Sequence, residues 1–96
     1  MSEFNWKFHR LRPSTAYDLG LFRVRKGYDL EFPHANVMVA PQEDGTWSVG
    51  GRIFLRWDAP MDYDEERFEQ AGFASSDDAK TAAEAWIIML KLQGKI

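Results

Sequence analysis

The sequence predicts an α+β fold. An antiparallel sheet of four to five strands is expected, with a C-terminal helix packed across one face and a short acidic helix before it. Three observations carry this. Residues 46–57 alternate strictly between two faces, two glycines close hairpin-like patterns, and residues 75–92 carry apolar residues at helical spacing.

Phe4, Trp6 and Phe8 alternate with Asn5, Lys7 and His9, the period-2 pattern of a half-buried strand. Arg12-Pro13-Ser14 then breaks it. Phe22, Val24, Tyr28, Leu30 and Phe32 share one parity around Gly27. A three-residue loop Arg25-Lys26-Gly27 keeps these residues on one face, sets Val24 opposite Tyr28 and pairs Arg23 with Asp29 outside.

The next hairpin is the strongest local pattern. Trp47, Val49, Gly51, Ile53, Leu55 and Trp57 face one way; Thr46, Ser48, Gly50, Arg52, Phe54 and Arg56 face the other. Val37 and Val39 join the Trp47 face only if the loop is Glu43-Asp44-Gly45. Val39 then opposes Val49, Val37 opposes Gly51, and Gly45 takes a positive φ.

Asp62 with Glu65 reads as a capping pair, Phe68 and Ala71 as a small apolar edge, and Gly72 as a terminator, so a short acidic helix is expected there. The main helix starts at Ser75 or Ser76, with Asp78 completing a cap, and ends near Leu92 before Gly94. Ala79, Ala82, Ala83, Trp86 and Leu90 form its core stripe, flanked by Ile87 and Met89. Gly51 lacks a side chain on the inward face, so the alanines are expected to approach the sheet there. The stripe Asp77, Thr81, Glu84, Ile88 and Lys91 should face water. One exposed Ile is ordinary; Ile88 gains meaning only at the centre of a larger patch.

Composition narrows the function. The chain has 96 residues, the length of one domain covering 1–96. It has no Cys, which removes disulfides, thiolate metal sites and Cys nucleophiles. No apolar run approaches the ~20 residues of a membrane span. The N-terminus lacks a signal-peptide pattern, so a cytoplasmic, membrane-free protein is expected. His9 and His34 are each alone in their segment, without zinc-ligand spacing. A calcium loop at Asp62, Asp64 and Glu66 fails because Arg67 stands where Gly is needed. No cofactor, no metal and no enzymatic activity are expected.

The net charge of -3 is a cancellation. Residues 58–78 hold eight acidic residues and one Arg, while the segments before and after them, 1–34 and 79–96, are each mildly basic. The acidic residues suit solvated helix starts. They also form the expected contact: Asp58, Asp62, Asp64, Glu65, Glu66 and Glu69 would meet a protein or ribonucleoprotein with a basic groove. The resulting expectation is a small non-enzymatic interaction domain. In composition it is similar to phage or mobile-element inhibitors of host defence or DNA-handling complexes. The alternative is a nucleic-acid-binding module. Arg52, Phe54 and Arg56 on the outer sheet face, with Arg23 and Arg25, would supply cations for phosphate and a ring for stacking. A homodimer through a sheet edge or face is the third expectation.

Overall fold

The computed structural model describes residues 4–11, 26–32, 35–59 and 62–96, with backbone alone at 56–59 and 62–63. Five strands form one sheet in the order β1-β2-β3-β4-β5, each antiparallel to its neighbours. They are β1 (Asn5–Arg10), β2 (Lys26–Glu31), β3 (Ala35–Pro41), β4 (Trp47–Ala59) and β5 (Asp62–Phe73). Among the described residues one helix, α1 (Ser76–Leu92), crosses the inner face. Among the described residues, no helix is long and apolar enough to cross a membrane.

The β3–β4 hairpin has the predicted register. Val39 opposes Val49 and Val37 opposes Gly51. The Gln42 N–H donates to Thr46 O at 2.8 Å, leaving Glu43-Asp44-Gly45 as the loop, with Gly45 at φ 86°. Asp44 Oδ1 accepts from the Thr46 hydroxyl at 2.6 Å and from its N–H at 3.0 Å. These bonds, the hydroxyl's first, hold the Asp44 carboxyl below its usual range.

Two predicted elements differ. Lys26-Gly27 is not a turn: both residues lie in β2, and Tyr28 sits between Phe8 and Val39 rather than opposite Val24. Both edges of β2 are occupied, by β1 and β3. Gly27 is required by packing. A Cβ there would lie 2.6 Å from Val39 O and 3.0 Å from Leu11 Cδ1. Phe22, Arg23, Val24 and Arg25 lie outside the described residues, so the Arg23–Asp29 pairing does too.

The short acidic helix is absent; residues 62–73 are strand β5. A backbone ladder to β4 overrides the capping pattern at Asp62 and Glu65, and Phe68 falls opposite Gly51 on the inner face. Three register shifts interrupt this pair. Gly72, at φ 85°, lies on β5 in the shift between Gln70 and Phe73, where a left-handed residue suits a bulge.

The core comprises Leu30, Val37, Val39, Val49 and Ile53 from the sheet and Ala79, Ala83, Trp86, Ile87 and Leu90 from α1. Phe4, Trp6 and Phe68 close its sides, half-buried. Gly51 is a close-approach site, but for the Trp86 ring and not for the alanines: a Cβ would lie 2.7 Å from Trp86 Cζ3. Phe68 stacks on the same ring at 5.5 Å. Phe8 keeps the inner parity and meets Tyr28 at 5.0 Å, yet remains 55% exposed at the sheet corner.

α1 is capped at both ends. Ser75 Oγ accepts the Asp78 N–H at 3.1 Å. At the other end the Lys95 N–H donates to Leu90 O and the Gly94 N–H to Lys91 O, each at 3.0 Å, with Gly94 at φ 72°.

Candidate interaction surfaces

Strand alternation divides the acidic run between two faces. Glu66 follows Phe68 onto the helix side, while Glu65, Arg67 and Glu69 point outward. Within this run, Glu65, Glu66 and Glu69 each meet a cation of this chain. Glu65 pairs with Arg52, Glu69 lies 3.3 Å from Arg67, and Glu66 lies 2.7 Å from Lys95. Arg67 also stands 3.9 Å from Glu65. Arg52 and Arg67 face each other across the ladder, so Glu65 separates two like charges. Asp64 is exposed on the edge strand. The side chains of Asp58 and Asp62 lie outside the described residues.

The basic outer face is similarly compensated. The Arg52 guanidinium lies 4.7 Å from the centre of the Phe54 ring while its Nε–H donates to Glu65. Its side chain is only 20% exposed. Lys7 pairs with Glu31, and His9 Nε2 lies 3.3 Å from Asp29. The Lys7 contact lowers the Glu31 pKa, with a smaller contribution from Asn5. The Arg56 side chain, Arg23, Arg25 and His34 lie outside the described residues. This face is also partly closed: Leu11, Met38, Ala40 and Ser48 are buried on it.

A cavity of about 320 Å³ lies by the end of α1, with Phe32, Ile53, Leu55 and Ile96 among its apolar walls and Lys91 and Lys95 beside them. Lys91 Nζ stands 5.4 Å from the Phe32 ring. Among the described residues, no group of three or more His, Asp or Glu side chains stands ready to hold a metal ion.

The outer face of α1 is different in kind. Ile88 is exposed as expected, at 44%, and it has company. Met89, expected to flank the core, is 46% exposed; Leu92 is 84% exposed; Ala85 is also exposed. Ala85, Ile88, Met89 and Leu92 occupy positions i, i+3, i+4 and i+7, one face of a helix. The sequence carries the same spacing, but a core stripe drawn from Ala79 to Leu90 claims Met89 as its flank and excludes Ala85 and Leu92. Comparison with known protein families, with curated proteins and with solved structures gives no match to this chain.

Proposed function

We propose that the chain is a non-enzymatic interaction domain that binds a protein partner through the solvent face of α1. The exposed apolar row Ala85, Ile88, Met89 and Leu92 carries this reading. Contiguous exposed apolar surface is what protein interfaces use, whereas isolated apolar residues are ordinary. The acidic strand is a weaker candidate. Glu65, Glu66 and Glu69 already meet Arg52, Lys95 and Arg67, so a basic partner would have to displace internal ion pairs.

Affinity capture with three forms of the protein tests this. The unaltered chain should retain a partner, Ile88→Glu/Leu92→Glu should lose it, and Asp64→Lys/Glu69→Lys should keep it. The reverse pattern would move the contact to β5. A low-salt gel shift with DNA or RNA, fading as salt rises, would instead favour nucleic-acid binding.

A further inference from the structure

α1 carries two seams with the same spacing. Ala79, Ala83, Trp86 and Leu90 are four, three and four residues apart, and all four are buried against the sheet. Thr81, Ala85, Ile88 and Leu92 repeat those intervals two residues later, and all four are exposed. A shift of two residues turns about 200° around a helix. The second seam therefore faces directly away from the sheet. Intervals of three and four are what keep one helix face against a neighbouring helix.

We propose that this seam pairs, antiparallel, with the same seam of a second copy of the chain. The proposal rests on the reading that α1's outer face is the contact surface, and it names the partner. A two-fold interface requires a patch that complements itself, and this one does so in antiparallel orientation. Leu92 falls opposite Thr81 of the second copy and Ile88 opposite Ala85, then the same layers recur by symmetry. Every layer sets a large side chain against a small one. Parallel alignment would stack Leu92 on Leu92 and Ala85 on Ala85.

Charge selects the same orientation. The first turn of α1 is acidic at Asp77 and Asp78, and the last turn is basic at Lys91. Antiparallel pairing places the acidic end of one helix beside the basic end of the other and opposes their dipoles. Parallel pairing would bring like charges together. The seam is short: α1 has 17 residues, a length of about 26 Å. The dimer therefore belongs with the smaller, weaker interfaces.

The chain has no Cys, so introduced thiols report cleanly. Thr81→Cys and Leu92→Cys proteins are purified separately, mixed and oxidised. The mixture should form a crosslinked dimer, and neither variant alone should do so efficiently. Light scattering of the unaltered protein should show the mass rising with concentration from 11.1 kDa toward twice that value. Ile88→Glu/Leu92→Glu should stay monomeric with an unchanged circular dichroism spectrum, since both positions are exposed. Efficient crosslinking of Thr81→Cys to itself would overturn the antiparallel arrangement. A mass fixed at the monomer value at the highest soluble concentration would overturn self-pairing. If that monomer still captures another protein and Ile88→Glu/Leu92→Glu does not, self-pairing fails while the interaction function stands.

Discussion

The two faces of α1 share one spacing and meet opposite surroundings. The inner face presents Ala79, Ala83, Trp86 and Leu90 to a sheet that buries them all. The outer face presents Thr81, Ala85, Ile88 and Leu92 to solvent. A helical repeat thus specifies a packable surface without specifying its partner. The inner partner is set by shape, because Gly51 leaves room for the Trp86 ring. The outer seam has no such fitted neighbour among the described residues.

The contrast can be broken first at Leu90, which is fully buried. Leu90→Ala should cost about 2–5 kcal/mol in urea unfolding, through lost burial and the cavity left behind. Gly51→Ala comes next. Its new methyl collides with Trp86, and overpacking of this kind costs about 1–3 kcal/mol. The loss should shrink in a Trp86→Leu background, where the ring is gone; an unchanged loss would place the strain elsewhere. Ser75→Ala removes the cap beneath both faces and should lower stability by about 1 kcal/mol. Leu92→Ala should change stability by less than about 0.5 kcal/mol, despite deleting a side chain as large as that of Leu90.

The smallest effect lies off the helix. Asp44 has a lowered carboxyl pKa in the folded protein, so its contribution is present above its usual value of 3.8 and is lost as pH falls through the folded value. Asp44→Asn should lower stability slightly near neutrality and flatten the acid limb of the stability profile, so that the two proteins converge at low pH. An unchanged acid limb would show that Asp44 does not stabilise the loop.

Legibility followed alternation. Residues 46–57 alternate without a break, and Gly45 admits only one loop length that keeps Val37 and Val39 inward, so the register of β3 and β4 was readable. β5 was not. Between Asp64 and Gln70, Phe68 is its only large apolar residue, and charges occupy both faces. An edge strand tolerates this, because charge there discourages pairing with other chains. The same acids, followed by Gly72, mimic helix signals. β2 failed for another reason: parity showed that Tyr28 and Leu30 face inward but not which strand lies beside them. Gly27 suggested a turn, whereas its bare backbone makes room for Leu11 and Val39. Of the candidate contacts, Ile88 was legible as an exposed residue, but its neighbours emerged only when the second seam was separated from the core stripe.

Each strand in the order β1-β2-β3-β4-β5 pairs only with strands adjacent to it in sequence. Such local connectivity lets the sheet assemble without threading one strand between two others, the arrangement that favours rapid folding. A sheet formed before α1 docks would leave Val37, Val39, Val49 and Ile53 bare. The same undocked helix would offer two sticky sides instead of one. Docking α1 therefore also sets valence: it leaves a single exposed seam, which admits one partner, where an undocked helix would offer two.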